Sequence, residues 1–249
     1  MNEQYEYLPQ GVAGKIVLIT GGTTGIGRAT GMLLAKLGAD VVIVGQSEQH
    51  LKDALSDIYK VATGQVHDVI ADLGSEEGIT AVFNAVDTHY KKIDILINNA
   101  ALGFGSVTEG SYEQWQHVVN TNLLAYMACS AEALKRMKPF GHIVNIGSMS
   151  ADVREETGSV YVATKSAIQG FSESLRKQVN KDNIKITLIE PGAVDTDMQP
   201  QSGEEKLQQV QDLKMLTSDD IAYSILYCIT QPNRCDIVAL QIRPHQQII

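Results

Sequence analysis

The sequence predicts an α/β fold in which one doubly wound parallel sheet of about seven strands carries helices on both faces. Short apolar runs rich in β-branched residues alternate along the chain with longer amphipathic segments, a pattern typical of right-handed βαβ units. Several short runs are apolar at successive positions, as in Ile16-Val17-Leu18-Ile19, which favours strands buried on both faces. No repeat, linker or low-complexity tract divides the 249 residues, so residues 1–249 are expected to form a single domain.

The strands and the first helix are placed by their residue patterns. In the first predicted helix Ile26, Leu33 and Leu37 share one apolar stripe, which Gly38 is expected to end. The predicted strands cover residues 16–20, 41–44, 66–71, 94–98, 143–146, 186–190 and 237–242.

Two later helices have recognisable start signals. Ser111 with Gln114 predicts a capping box that opens a long helix ending near Pro139. Thr217 with Asp220 predicts the start of another helix.

The polar segment 196–215 follows the sixth predicted strand and contains no strand-like run, although residues 204–213 could form a short helix. In this architecture the segment lies at the carboxyl edge of the sheet, where ligands bind. Loops of this length are usually functional or disordered. We predict a substrate lid, with a disordered surface excursion as the alternative.

Charge and cysteine content exclude several classes of function. The chain has 20 Lys+Arg against 29 Asp+Glu, and this acidity argues against a nucleic-acid partner. Cys129, Cys228 and Cys235 are too scattered for a disulfide framework. The histidines do not have the spacing of metal ligands, so no metal site is expected, and the histidines are predicted to lie on the surface. No apolar run approaches the roughly 20 residues of a membrane helix, and residues 1–10 lack the apolar core of a signal peptide. We therefore expect a soluble, cytoplasmic protein without a membrane partner.

A glycine-rich turn joins the first predicted strand to the first helix. Gly21, Gly25 and Gly27 permit a tight turn and a close approach of the backbone to a pyrophosphate. The N–H groups at the start of the following helix stabilise the charge of such a group. The turn therefore predicts a dinucleotide site and a sheet of the Rossmann type.

The end of the second predicted strand bears on the choice of cofactor. An acidic residue there would bind the adenosine ribose of NAD, but this chain has Gln46 and Ser47, with Glu48 the nearest acid. Gln46 and Ser47 could hydrogen-bond a 2′-phosphate, which a carboxylate would repel, so NADP(H) is favoured over NAD(H). In the alternative, Glu48 or the backbone contacts the ribose of NAD.

Tyr161 and Lys165 lie four residues apart in a helical pattern, so their side chains share one face. Ser148 lies 13 residues before Tyr161, at the carboxyl end of a predicted strand. Hydride transfer to a carbonyl leaves an alkoxide that must gain a proton, and the ammonium of Lys165 is expected to lower the pKa of the Tyr161 phenol that supplies it. Ser148 is expected to bind the substrate oxygen, where negative charge develops.

In combination these motifs resemble the short-chain dehydrogenases/reductases over about residues 15–198. The T-G-x-x-x-G-x-G motif matches residues 20–27, and P-G-x-x-x-T matches 191–196. N-N-A-G matches 98–100 but departs at Ala101, where glycine is usual.

The resemblance implies a nicotinamide-dependent dehydrogenase or reductase with a catalytic tetrad of Asn122, Ser148, Tyr161 and Lys165. By resemblance, Lys165 also holds the nicotinamide ribose, Asn122 places a water of a proton relay, and Thr196 holds the carboxamide. The cofactor site that this implies consists of Gly21, Thr23, Thr24, Gly25, Ile26, Gly27, Gln46, Ser47, Asp72, Leu73, Asn99, Ala100, Tyr161, Lys165, Pro191, Gly192, Val194 and Thr196.

Short matches at residues 190–192, 216–220 and 242–244 resemble the NADP-dependent serine and 3-hydroxy acid dehydrogenases. This resemblance implies a small carbonyl or secondary alcohol substrate, and 3-hydroxy acids are among the candidates. Arg154 could bind a substrate carboxylate, or it pairs with Glu155 or Glu156 or faces water. Side chains near Phe104, Met149, residues 152–157 and residues 198–215 are expected to select the substrate.

The resemblance also implies a homotetramer or homodimer, with residues 112–137 and 160–179 as candidate interface helices. A catalytically idle dinucleotide-binding protein that senses redox state is the alternative function, although such a protein does not need Tyr161 or Ser148. A nucleotide-sugar epimerase or dehydratase would resemble the longer members of the family, which usually have a larger C-terminal substrate domain. This function is disfavoured, because the roughly 50 residues after Met198 leave little room for such a domain.

Overall fold

The computed structural model describes residues 11–247. Within this range one sheet of seven strands forms, and all of its strands pair in parallel. The strand order is β3-β2-β1-β4-β5-β6-β7: β2 and β3 are added on one side of β1, and β4 to β7 are added on the other, so the strand order switches direction between β1 and β4. Ligands of open α/β sheets bind at such a switch point, at the carboxyl ends of the strands. The predicted fold class is confirmed. The strands are β1 Ile16–Thr20, β2 Asp40–Gly45, β3 Val66–Ile70, β4 Ile95–Asn98, β5 Gly141–Ile146, β6 Ile184–Pro191 and β7 Ala239–Ile242.

Strand boundaries differ from the prediction mainly where pairing overrides local composition. β5 begins at Gly141 rather than at residue 143, because Gly141 and His142 pair with Ile184 and Lys185 of β6. β7 begins two residues later than predicted, at Ala239.

Helices cover both faces of the sheet. Residues Val17 and Ile19 of β1 pack on one face, and Leu18 between them packs on the other. The first face is covered by helices α1, α2 and α9, and the second by α3, α5 and α7. The helices are α1 Gly25–Lys36, α2 Glu48–Val61, α3 Glu76–His89, α4 Tyr112–Val119, α5 Ala125–Leu134, α6 Ser150–Val153, α7 Ser159–Val179, α8 Gly203–Gln211 and α9 Ser218–Ile229.

The predicted start signals are confirmed, but the long helix is not continuous. Ser111 and Gln114 form a full capping box at α4, and Thr217 with Asp220 forms another at α9. A π-helical turn at Asn120–Leu124 separates α4 from α5, and α5 ends at Leu134. Such turns are frequent at functional sites.

The segment 196–215 contains α8, Gly203–Gln211, close to the short helix predicted at residues 204–213. Ser202 and Glu205 form a capping box that the sequence analysis did not identify. The Lys206 ammonium donates a hydrogen bond of 2.8 Å to the carbonyl oxygen of Thr196, so α8 is tied to the start of its own loop.

One histidine lies elsewhere than predicted. His142 is buried in β5, where its Nε2 is 2.8 Å from the hydroxyl of Thr187, and this burial lowers its pKa from 6.5 to about 3. The prediction of surface histidines is wrong at this position, because β5 is an inner strand of the sheet, paired with β4 and β6, and its residues are buried on both faces.

Within residues 11–247, no helix is long and apolar enough to cross a membrane. The same part of the chain contains no group of three or more potential metal-ligating side chains, and its cysteines are free. The expectation about a signal peptide concerns residues 1–10, which lie outside the described residues.

Candidate active site

The carboxyl edge of the sheet opens into a cleft with a volume of about 960 Å³. Of the predicted site residues, Gly27, Asp72 and Asn122 do not line the cleft. The others do: Gly21, Thr23, Thr24, Gly25, Ile26, Gln46, Ser47, Leu73, Asn99, Ala100, Ser148, Tyr161, Lys165, Pro191, Gly192, Val194 and Thr196.

The glycine-rich turn is held against the loop after β4 so closely that side chains are excluded. Gly21 has φ of +61°, and a Cβ on it would lie 2.8 Å from Cα of Ala100. A Cβ on Gly27 would lie 2.1 Å from the carbonyl oxygen of Gly21. The Asn99 amide donates to the carbonyls of Thr20 and Gly21, at 3.1 and 2.9 Å. Asn99 therefore fixes the turn, and Gly27 supports it from below without lining the cleft.

This end of the cleft fits a dinucleotide. Thr24, at the N-cap of α1, makes no side-chain hydrogen bond, so no side chain caps the first N–H groups of the helix. These groups suit an anion such as a pyrophosphate. The buried hydroxyl of Thr121, on the wall of the same cleft, has no hydrogen-bond partner.

At the end of β2 the cleft is lined by Gln46, Ser47 and His50. The Gln46 amide donates a 2.6 Å hydrogen bond to Asp72, and the Ser47 hydroxyl accepts from the backbone N–H of His50. Glu48 does not line the cleft, since its carboxylate pairs with Lys52 at 2.7 Å. Neither Glu48 nor Asp72 lines this wall of the cleft, although the Asp72 carboxylate lies behind the Gln46 amide.

At the opposite end, β5 and α7 bring Ser148, Tyr161 and Lys165 together. Lys165 is 1% exposed, and its ammonium donates a 2.8 Å hydrogen bond to the carbonyl oxygen of Ile146. The same oxygen accepts a hydrogen bond from the buried Tyr126 hydroxyl at 3.2 Å. The Lys165 nitrogen is 5.7 Å from the centre of the Tyr161 ring. The lysine is therefore anchored beneath the phenol.

The pKa values of this pair correct one prediction. Burial raises the pKa of Tyr161, a hydrogen bond with Ser148 lowers it, and the charge of Glu155 raises it, with a net rise. Burial also lowers the pKa of Lys165 from 10.5 to about 7. The expected lowering of the tyrosine pKa by a lysine charge is thus wrong for the protein alone, because burial strips the lysine of its proton before the phenol titrates.

Asn122 lies under the cleft in the π-helical turn and is completely buried. Its amide oxygen accepts from the N–H of Leu102 at 2.7 Å, and its amide nitrogen donates to the carbonyl of Leu102 at 2.8 Å. The same nitrogen is 3.3 Å from the hydroxyl of Thr164, which in turn donates to the carbonyl of Tyr161. Asn122 therefore links the loop after β4 to the helix that carries Tyr161.

Beyond Tyr161, the expected substrate-selecting residues do lie on the cleft. Phe104, Met149 and Met198 line it, and the first two come from the loops after β4 and β5. Arg154 does not line it and forms no ion pair with either neighbouring glutamate; its Nε donates to the carbonyl of Ala151 at 3.3 Å.

Sequence reasoning missed several residues of this site. Tyr126 and Thr164 are placed beneath Tyr161 and Lys165 only by the fold, and Thr121 reaches the cleft wall in the same way. Gln247 lines the cleft because the chain returns after β7, and its amide oxygen accepts from the N–H of Ala193 at 3.1 Å.

Two features of the parallel sheet define a dinucleotide-dependent oxidoreductase. The first is a glycine-rich turn at the switch point, followed by a helix without a side-chain cap. The second is the Ser, Tyr and Lys group at the other end of the same cleft. The comparisons specify the family. The family model described as short chain dehydrogenase matches residues 15–207, and the chain belongs to this family. It is a dehydrogenase or reductase that transfers a hydride between a nicotinamide cofactor and an alcohol or ketone group. Nothing in the comparisons supports the idle redox-sensing alternative.

Two curated relatives cover nearly the whole chain. An uncharacterised oxidoreductase of Staphylococcus epidermidis is 31% identical, over 92% of this chain and 97% of its own length. Dehydrogenase/reductase SDR family member 11 of Gallus gallus is 30% identical, over 94% of this chain and 98% of its own.

Two solved structures have the same fold. L-sorbose reductase of Gluconobacter frateurii, complexed with NADPH and L-sorbose, has a TM-score of 0.85 and 26% identity over 95% of this chain and 98% of its own. A short chain dehydrogenase of Burkholderia cenocepacia in complex with NADP has a TM-score of 0.84 and 26% identity, over 94% and 98%.

Proposed function

We propose that this chain is an NADP(H)-dependent reductase or dehydrogenase of small ketones and secondary alcohols, in which Tyr161 is the proton donor to the carbonyl oxygen. The observation that carries the proposal is the single cleft that contains both the glycine-rich turn and the Ser148, Tyr161 and Lys165 side chains. A protein that only bound a dinucleotide would not need the second group.

Tyr161 and Ser148 act on the substrate oxygen. The raised pKa of Tyr161 keeps the phenol protonated at neutral pH, so it is ready to donate a proton as negative charge develops on that oxygen. Ser148, which lines the cleft with Tyr161, supplies a second donor to the same oxygen. The bound nicotinamide supplies the hydride.

Lys165 restores the proton that Tyr161 gives up. Its pKa of about 7 lies near the working pH, where a group both binds and releases a proton readily. Asn122 positions this relay, because it fixes the loop at Leu102 and the backbone of α7 through Thr164.

The cofactor residues have distinct tasks. Gly21, Gly25, Ile26 and the N–H groups after Thr24 hold the pyrophosphate, and Asn99 with Gly27 holds the turn in shape. Leu73 and Ala100 line the adenosine end of the cleft, and Asp72, which does not line it, holds the Gln46 amide. On the other side of the cleft, the nicotinamide is held by Pro191, Gly192, Val194 and Thr196. Thr196 packs so close to Gly25 that a Cβ on Gly25 would lie 2.9 Å from the methyl carbon of Thr196. Thr23 closes the wall beneath Gly45.

The preference for NADP(H) is supported by the wall at the end of β2. Gln46 and Ser47 line this part of the cleft with uncharged polar side chains, and Glu48 is turned to Lys52. Both solved relatives described above contain NADP or NADPH, which agrees with this choice.

Calorimetric titration with NADPH and with NADH tests the cofactor assignment. We expect NADPH to bind at least about tenfold more tightly, and Gln46→Glu to abolish that preference by repelling the 2′-phosphate. Gln49→Glu, an equal change of charge at an exposed neighbour off the cleft, is the matched control and should retain it. Tighter binding of NADH by the unmodified protein contradicts the proposal.

Segment 196–215 is proposed as the substrate lid, since Asp197, Met198 and Gln199 line the cleft and Lys206 fastens α8 to Thr196.

We also expect a cytoplasmic homo-oligomer, a tetramer or a dimer. Exposed apolar side chains along the helical stretch 112–134, such as Val119, Leu124 and Met127, support association with a second copy. Light scattering at micromolar concentration tests this, and a monomer contradicts it.

A further inference from the structure

The substrate end of the cleft carries a charge pattern that the proposed function does not use. We infer that this cleft selects neutral ketones that bear a hydroxyl group near the carbonyl, that it disfavours keto acids, and that Glu155 sets this preference. The inference rests on the proposed function, because it takes Tyr161 and Ser148 as the reacting end.

Carboxylates, and not free cations, line this end. Within residues 11–247, the acidic side chains on the cleft wall are Glu155 and Asp197. Lys165 lines the same region, but it is buried and its ammonium is bound to the carbonyl of Ile146. His50 is at the far end of the cleft, beside Ser47. A substrate carboxylate would therefore enter a region of like charge.

The cations nearest in the chain are turned elsewhere. Arg154 has a left-handed backbone with φ of +57°, and its guanidinium donates to the carbonyl of Ala151, outside the cleft. Lys206 donates to the carbonyl of Thr196 and does not line the cleft either. Neither is placed to form the bidentate pair that a carboxylate substrate would use.

Glu155 lies within electrostatic reach of the reacting groups. Besides burial, its charge raises the pKa of Tyr161. The Ser150 hydroxyl donates a 3.0 Å hydrogen bond to one oxygen of this carboxylate, which leaves the other oxygen able to accept from a substrate hydroxyl.

Gln247 supplies the complementary donor. Its amide oxygen is occupied by the N–H of Ala193, so the group that it can offer to the cleft is the amide nitrogen with its hydrogens. The amide is held so close to Gly192 that a Cβ there would lie 2.2 Å from the Gln247 oxygen. A substrate hydroxyl can donate to the Glu155 carboxylate and can accept from an amide nitrogen such as that of Gln247, whereas a substrate carboxylate can only accept.

Two ketones with the same carbon skeleton test the inference. 4-Hydroxy-2-butanone and acetoacetate differ in a terminal hydroxymethyl against a carboxylate, and kcat/KM for each is measured with NADPH. The unmodified enzyme should prefer the hydroxy ketone by at least about tenfold, and Glu155→Gln should reduce that ratio by about tenfold, mainly through a lower KM for acetoacetate.

Glu156→Gln is the matched control, since it removes the same charge from an exposed neighbour that does not line the cleft. It should leave the ratio unchanged. Glu155→Gln should also move the alkaline limb of the pH profile for reduction to lower pH, because the charge that raises the Tyr161 pKa is gone, and Glu156→Gln should not.

The outcomes separate the two proposals. Equal or better use of acetoacetate by the unmodified enzyme, or equal shifts in the two glutamine variants, overturns the inference and leaves the proposed function intact. Turnover of neither ketone by protein that binds NADPH overturns the inference alone, and failure of the folded protein to bind either nicotinamide cofactor overturns both.

Discussion

Lys165 should destabilise the folded protein. Burial lowers its pKa from 10.5 to about 7, so the folded state binds this proton much more weakly than the unfolded chain does. A difference of this size corresponds to about 4 kcal/mol of lost stability at pH 7. Lys165→Met removes this penalty and retains most of the side-chain volume. It also removes the hydrogen bond to Ile146, worth about 1 kcal/mol, although Tyr126 still binds the same oxygen.

The sign of the pH dependence follows from proton binding. Between pH 7 and 10.5 the unfolded state holds a proton on Lys165 that the folded state lacks, so this group makes the protein more stable as the pH rises, by about 1.4 kcal/mol per unit. Lys165→Met should therefore be more stable than the unmodified protein by about 3 kcal/mol at pH 7. The advantage should shrink by about 2 kcal/mol at pH 9.

Urea unfolding of both proteins at pH 7, 8 and 9, without added nucleotide, measures the effect. Lys181→Met, at an exposed position, is the control and should follow the unmodified protein at each pH. If Lys165→Met is less stable at pH 7, or if its difference from the unmodified protein does not change with pH, then the lysine is not held deprotonated by burial and the reasoning fails.

Two further predictions concern the acid limb of stability and the glycine-rich turn. Burial lowers the pKa of His142 to about 3, so below pH 6.5 the unfolded chain binds a proton that the folded protein does not. The free energy of unfolding should therefore fall by about 1.4 kcal/mol for each pH unit below 6.5. Urea unfolding at pH 6.5, 5.5 and 4.5 should show a flatter slope in His142→Gln but not in His50→Gln, a control at an exposed position. Gly27→Ala places a methyl 2.1 Å from the carbonyl of Gly21, so calorimetry should show NADPH affinity reduced by at least about a hundredfold. Gly203→Ala, where a methyl meets nothing within 4 Å, should bind normally, and normal binding by Gly27→Ala would contradict the assigned role of the turn.

The fold could be predicted from the sequence because its signals are local. Alternation of short apolar runs with amphipathic segments gives the parallel sheet, and Ser111 or Thr217 marks a helix start through a bond that spans three residues. Strand ends were less predictable, since Gly141 belongs to β5 only through its partner in β6.

The candidate site could be predicted where it depends on motifs, and not where it depends on burial. The positions of Ser148 and Tyr161 on one cleft follow from strand order and helix spacing. The pKa of Tyr161 does not, because its direction depends on how deeply the fold buries the phenol and Lys165 together. Gln247 joins the cleft from the far end of the chain, and no local pattern points to it.

The role of Tyr161 as proton donor is tested most directly by Tyr161→Phe. Reduction of 4-hydroxy-2-butanone by NADPH should fall by about a hundredfold to ten-thousandfold, while the dissociation constant for NADPH changes by less than about threefold, because the phenol acts on the substrate oxygen. Tyr112→Phe, at an exposed position, should keep the full rate. A Tyr161→Phe enzyme that retains most of its rate would contradict the account of this site.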